Sequence, residues 1–348
     1  MQTPSGGEQP PSSPPLTASH VHSEEARGSY VALCGGVGGA KLALGLARII
    51  PAERLTIVVN TGDDFEHVGL HVSPDIDTVL YTLSGLANAE QGWGLADETW
   101  SFMEALARLG GPTWFRLGDK DLATHVTRTE RLRSGERLSA IVADLARKLG
   151  IGASIVPMSD DRVRTLVDTD IGRLSFQSYF VEHRCAPRLR AISFEGAAAA
   201  QPARAALEAL ARPDLAGIIV CPSNPWLSID PMLAIPGWRA ALETCRAPRI
   251  AVTPIVAGQA IKGPTAKIMA ELGLAPNARN IVAHYGRLLD GFLLDAADAC
   301  LTGDLGLPVL TADTIMRTLA DRIRVARASV ELCLGIADAR AAAEENRA

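Results

Sequence analysis

The chain has 348 residues, with 34 Lys and Arg against 39 Asp and Glu, and therefore a formal net charge of −5. Hydrophobic residues make up 47%, enough for a sizeable core, and the mildly acidic balance argues against a broad electrostatic footprint for nucleic acid. No apolar run reaches the roughly 18–20 residues of a membrane span, and the six cysteines are scattered without a Cys-x-x-Cys pair, which disfavours a zinc cluster or a dense disulfide framework and fits a reduced, cytoplasmic protein.

Met1–Gly28 is rich in Pro, Ser, Gly and Gln and has no apolar stripe. It cannot offset its ordering entropy, so residues 1–28 are expected to form a disordered tail; a docking role is the alternative. The basic start and apolar run of about 7–15 residues that mark a secretory signal are missing. From Tyr30 the pattern alternates. Tyr30–Cys34 reads as a short buried strand, Lys41–Ile50 as a helix stopped by Pro51, and Leu55–Asn60 as a second strand rich in β-branched residues. A helix follows with Ser73 at the N-cap position and Pro74 at the first helical one. Asp121–Leu149 reads as two polar-faced helices, and Arg164–Asp168 with Arg173–Val181 as a hairpin around Thr169-Asp170-Ile171-Gly172. Helices near Pro202–Arg212 and Gly237–Cys245 alternate with strands Gly217–Cys221 and Ile250–Val256, and a long helix near Asp313–Cys333 comes last. This alternation implies an α/β fold, a Rossmann-like parallel sheet with helices on both faces. The stretch that breaks the rhythm, 118–198, is expected to be a smaller inserted α+β subdomain within one domain of residues 29–340, whose core is 29–117 and 199–340.

Four stretches carry chemistry. Gly35-Gly36-Val37-Gly38-Gly39-Ala40-Lys41 lies between the first strand and the first helix. Its glycines permit a tight turn and close approach of a ligand, and a helix N-terminus offers unpaired N–H groups to an anion. A dinucleotide fingerprint would need Gly at Lys41 and an acid where Asn60 ends the second strand, and a Walker loop would need Gly-Lys-Ser/Thr where this chain reads Ala40-Lys41-Leu42. That leaves a phosphate cradle of another kind, or a merely tight turn. Asp63 and Asp64 end the second strand, and Asp75 and Asp77 open the next helix, beyond the carboxyl ends of the strands where open α/β folds bind ligands. A hard cation such as magnesium would relieve their repulsion, although acids in a first helical turn also stabilise a helix with no further role. Arg116-Leu117-Gly118-Asp119-Lys120-Asp121, followed by His125 and Arg128, would clamp a polyanion or form a solvated face. His67 and His71 make a poor metal pair, with Gly69 between them and no Glu after His67. Cys221-Pro222-Ser223-Asn224-Pro225 presents Ser223 and Asn224 to a base or ribose, or makes a rigid turn; nothing adjacent in sequence would activate Cys221 as a nucleophile.

The glycine loop, Asn60-Thr61-Gly62-Asp63-Asp64, Ser73-Pro74-Asp75-x-Asp77-Thr78, Gly92-Trp93-Gly94, Leu117-Gly118-Asp119-x-Asp121-x-Ala123-Thr124-His125, Pro157-Met158-Ser159-Asp160 and Pro222-Ser223-Asn224-Pro225 together resemble the 2-phospho-L-lactate transferase family over about residues 30–335. The resemblance implies an enzyme of deazaflavin coenzyme F-420 biosynthesis. Such an enzyme moves a phospholactyl, phosphoenolpyruvyl or phosphoglyceryl group from a guanosine diphosphate-activated donor to the terminal ribityl hydroxyl of the deazaflavin Fo, releasing GMP, with magnesium as cofactor and a homodimer as the assembly. In that picture Gly35, Gly36, Gly38, Gly39 and Lys41 hold the donor phosphates, and Ser223 and Asn224 lie near the nucleotide. Asp64 and Asp77 contact metal and acceptor hydroxyl, with Asp63 and Asp75 supporting, and Arg116 touches the deazaflavin. A related family of regulatory proteins that bind uridine diphosphate sugars has a similar glycine-rich loop and implies binding without turnover. Gly92-Trp93-Gly94 and the Arg116–His125 set favour the transferase. Lys41 and Asn60 weigh against an NAD-type dehydrogenase.

Overall fold

The computed structural model describes residues 27–88, 91–261 and 263–346; the expected tail lies outside the described residues except for Arg27 and Gly28. The chain opens with β1 (Ser29–Cys34), α1 (Gly36–Ile49) and β2 (Leu55–Val59), then a small antiparallel hairpin of β3 (Phe65–His67) and β4 (Leu70–Val72). Helices α2 (Pro74–Ser84), α3 (Ser101–Arg108), α4 (Asp121–Arg133) and α5 (Leu138–Lys148) lead to β5 (Ser154–Pro157). Then come β6 (Arg164–Thr169), β7 (Gly172–Ser175), β8 (Leu189–Glu195), α6 (Arg204–Leu210), β9 (Leu215–Val220), α7 (Asp230–Leu233), α8 (Trp238–Thr244) and β10 (Arg249–Val252). The hairpin β11 (Ile255–Val256) and β12 (Gln259–Ala260), helices α9 (Thr265–Glu271) and α10 (Ala278–Tyr285), strands β13 (Gly291–Asp295) and β14 (Val309–Ala312), and α11 (Leu319–Glu345) complete it.

Seven strands form one parallel sheet in the order β14-β13-β10-β9-β1-β2-β5. Successive side chains of a strand point to opposite faces. Tyr30, Ala32 and Cys34 of β1 therefore pack against α1, α2 and α11, while Val31 and Leu33 join the layer built around Trp226, Trp238 and Phe292. Both faces are dry, as a parallel sheet requires, and the α/β class expected from the alternation is the fold observed.

β5 lies inside the stretch 118–198 yet edges the main sheet, Ile57 beside Ile155 and Val58 beside Val156. A parallel strand needs a long crossover, and the polar-faced helices α4 and α5 lie within that connection. What leaves the main sheet is the antiparallel β7-β6-β8 unit. Other boundaries moved for local reasons. The first helix begins at Gly36, not Lys41, so the glycine loop is its first turn. The second arm of the 164–181 hairpin stops at Ser175 and gives way to a turn of wide helix at Ser178–Glu182. The last helix begins late because Thr318 and Asp321 form a reciprocal capping box ahead of it, and it runs on to Glu345 through residues of high helix propensity.

Candidate active site

Chain order turns back between β1 and β9: β2 and β5 lie to one side of β1, and β9, β10, β13 and β14 to the other. At such a reversal the loops beyond the carboxyl ends of the strands diverge and leave a crevice. The loop after β1 is the glycine stretch and the loop after β9 is Cys221–Pro225, so both meet there. A cavity of about 670 Å³ opens between them, within the usual range for small-molecule sites.

The glycine loop is held from below and kept open above. The Ser223 hydroxyl accepts the Gly35 N–H at 3.0 Å and donates to the Gly35 carbonyl at 2.7 Å. Gly36 sits at φ +64°, a left-handed conformation that favours glycine. A Cβ at Gly38 would lie 2.5 Å from the Pro222 carbonyl oxygen, so a side chain there would push α1 away from β9. The first amides of α1 lack helical acceptors by construction, and Gly35, Gly36, Val37 and Gly38 line the cavity with Lys41. Lys41 Nζ donates to the Met316 carbonyl at 2.8 Å, tethered at the rim.

The four aspartates separate into two pairs. Asp63 and Asp75 line the cavity. Asp75 accepts the Gly36 N–H at 2.8 Å through Oδ1 and the Asn60 Nδ2 at 3.0 Å through Oδ2, tying α2, α1 and β2 together. Asn60 also donates to the Leu227 carbonyl at 3.3 Å and accepts the Gly62 N–H at 2.9 Å. Burial pushes the Asp75 carboxyl up to about 6, against the bonds from Asn60 and Gly36. Burial and then the neighbouring Asp75 push Asp63 well above its ordinary value, and Asp63 Oδ1 is buried without a hydrogen-bond partner.

Asp64 and Asp77, expected to touch metal and acceptor, are not among the residues that line the cavity. Asp64 Oδ2 accepts the Ser73 hydroxyl at 2.8 Å and lies 3.1 Å from His71 Nε2; Ser73 thus spends its hydroxyl on Asp64 rather than on capping α2. Asp77 takes the forked guanidinium of the fully buried Arg128. Burial pushes the Asp77 carboxyl up, and Arg128 and His125 pull against it. His125 Nε2 lies 3.2 Å from Asp121, which also accepts the Tyr81 hydroxyl. Asp77, Asp121 and His125 bring ligand atoms within 4.8 Å of one another, a spacing a metal could bridge, yet Arg128 already occupies Asp77.

Arg116 does line the cavity, its guanidinium 3.8 Å from the centroid of Trp100. Asn224 also lines it but spends its side chain on the protein: Oδ1 accepts the Trp226 and Leu227 N–H groups at 3.0 and 3.2 Å, and Nδ2 donates to Thr265 Oγ1 at 3.1 Å. The sequence reading missed the aromatic walls. Trp93, Trp114 and Phe115 stand on one side, Phe176 and Phe180 on another, the last two stacked at 5.4 Å and 11°. Aromatic residues are only 5% of the chain, so their crowding at 93–115 and 176–180 was the available signal.

Comparison with known proteins agrees with this architecture. Residues 30–303 match the family described as 2-phospho-L-lactate transferase CofD. A phosphoenolpyruvate transferase of Streptomyces griseus is 44% identical over 275 residues, 77% of this chain and 86% of that one. A 2-phospho-L-lactate transferase of Methanocaldococcus jannaschii is 36% identical over 305 residues, 86% of this chain and 97% of that one. In fold, a crystal structure of a UPF0052 family protein from Bacillus halodurans superposes with a TM-score of 0.57 at 14% identity, over 87% of this chain and 99% of that one.

Proposed function

The chain belongs to the 2-phospho-L-lactate transferase CofD family, and from that premise we propose that it moves a phosphoenolpyruvyl group, or the related phospholactyl group, from a guanosine diphosphate-activated donor to the ribityl hydroxyl of the deazaflavin Fo, releasing GMP, as a step in coenzyme F-420 biosynthesis. One observation carries the reading: a helix N-terminus bare of side chains and two buried carboxyls share one cavity at the reversal of the sheet. Relatives named phosphoenolpyruvate transferase (44% and 37% identical) and 2-phospho-L-lactate transferase (40% and 36%) overlap in identity, and together they support a small phosphorylated acid as the group moved.

The amides of α1 and Lys41 would cradle the donor's anhydride. The acceptor oxygen attacks the phosphorus that carries the acid, the anhydride bond breaks, and GMP departs with its electron pair. The hydroxyl proton passes to Asp63, which lines the cavity with Oδ1 unpartnered. Beyond that, such a transfer asks the protein for alignment and charge neutralisation. Asp75 is the acid that would hold magnesium: it offers hard carboxylate oxygens in the cavity, beside the buried carboxyl of Asp63 whose repulsion a cation would relieve. A divalent cation there supplies charge neutralisation for the anhydride. The aromatic walls suit a flat ring, and Arg116 stays assigned to that side.

Incubating the protein with Fo, magnesium and each guanylylated acid, then weighing the products, tests the reading. A mass increase of Fo by the phosphorylated acid with equimolar GMP supports it; no transfer from any of the donors would reject it. Protection against heat by guanosine but not uridine nucleotides separates it from nucleotide-sugar binding without turnover.

A further inference from the structure

Arg184 is the charged side chain of the cavity that the preceding assignment leaves without a task. It lines the cavity beside Phe180 and Val181, and among the described residues its guanidinium has neither a hydrogen bond nor an ion pair. The other cations there are engaged, Lys41 with the Met316 carbonyl and Arg116 with the Trp100 ring. Arg184 is an exposed residue, unlike Arg128 and Arg249, which are held by Asp77 and Asp290.

The backbone beneath it is held in an uphill conformation. Arg184 and Cys185 are consecutive non-glycine residues at φ +49° and +56°, in the left-handed region that side chains disfavour. The turn that imposes this is fixed by the Cys185 N–H to the Tyr179 carbonyl at 2.8 Å and the Ala186 N–H to the His183 carbonyl at 2.9 Å. Glycine would meet the same geometry without cost, so the position carries a long cation where the backbone alone would prefer none.

We propose that Arg184 forms the subsite for the carboxylate of the transferred acid, and so selects donors whose acid is ionised. The inference rests on the transfer proposed above. In that reaction the donor's phosphates meet the α1 amides and Lys41, and a flat acceptor ring meets the aromatic walls. The carboxylate is the remaining charge, and a planar guanidinium meets a planar carboxylate through two parallel hydrogen bonds.

The test compares two guanylylated donors, one with the free carboxylate and one with the same acid as its carboxamide, in steady-state transfer to Fo by wild type, Arg184→Asn and Arg184→Lys. Asn tolerates the left-handed backbone, and an unchanged melting temperature verifies the fold. Wild type should prefer the acid by about 10–100-fold in kcat/KM. Arg184→Asn should bring that ratio near one by raising KM for the acid alone, with KM for Fo unmoved, and Arg184→Lys should restore part of it. Retention of the wild-type ratio in Arg184→Asn overturns the inference, as does a rise confined to KM for Fo, which would place Arg184 on the acceptor. Failure of wild type to transfer either donor overturns the reaction itself and this inference with it.

Discussion

Asp75 holds three chain segments with one side chain, the start of α1 through the Gly36 N–H, the end of β2 through Asn60, and its own helix α2. Replacing it by Asn keeps the shape but turns one acceptor oxygen into a donor, facing either the Gly36 N–H or the Asn60 amide. Asp75→Asn and Asp63→Asn are each expected to lower kcat by about 100–1,000-fold, the range for losing a group that stabilises developing charge, in an assay of GMP release. Asp64→Asn should keep kcat within an order of magnitude, because its contacts are to Ser73 and His71 outside the cavity. A result reversed between Asp63 and Asp64 would restore the assignment first expected from the motif. Arg128→Met belongs to the same scale with another readout: it leaves Asp77 buried with only His125 beside it, and should cost about 3–5 kcal/mol in urea unfolding.

At the scale of elements, the N-terminal turn of α1 works because it packs bare against the loop after β9. Gly38→Ala puts a methyl 2.5 Å from the Pro222 carbonyl, and backbone cannot swing aside as a side chain can. It is expected to cost about 1–3 kcal/mol and to raise donor KM at least as much as it lowers kcat, measured by denaturation and donor titration. The turn at Arg184 offers the opposite trade. Arg184→Gly relieves a left-handed residue and should raise stability by about 1 kcal/mol, while the discrimination between acid and amide donors falls. The elements themselves were unevenly legible. β1, β2 and β9 announce themselves by continuous apolar runs because both faces of the sheet are covered. The three-residue strands β3 and β4, and the turn after Ser175, carry too few residues for any period to show. The first helix was read from Lys41 because glycines disfavour helix interiors; tertiary contacts from Ser223 and Asp75 override that preference.

Across the whole molecule the acidic pair links stability to pH and to metal. Asp75 is raised from 3.8 to about 6, so between those values the folded, metal-free protein keeps a proton that the unfolded chain has released. Its stability therefore falls as pH rises through that window and stays lower above it, by about 3 kcal/mol. Urea unfolding at pH 4.5 and 7.5 should show the loss, Asp75→Asn should flatten it, and magnesium at pH 7.5 should recover it in wild type but not in the variant. Equal magnesium stabilisation in both would remove Asp75 from the metal site.

The amino-acid order by itself was sufficient for the class of fold, the glycine loop at a strand end, the acids near it and the family, since these rest on period and spacing, which are local. Tertiary structure alone decided which acids line the cavity. Residues two apart on a helix lie about 200° around its axis, so Asp75 and Asp77 cannot both face α1, and only the packing of α2 between α1 and α4 settles that Asp75 meets Gly36 while Asp77 meets Arg128. The adjacent Asp63 and Asp64 are parted likewise, one to the cavity and one to His71. Helix rotation and turn direction are set by what the neighbouring layers leave room for, and no spacing along a single chain encodes that.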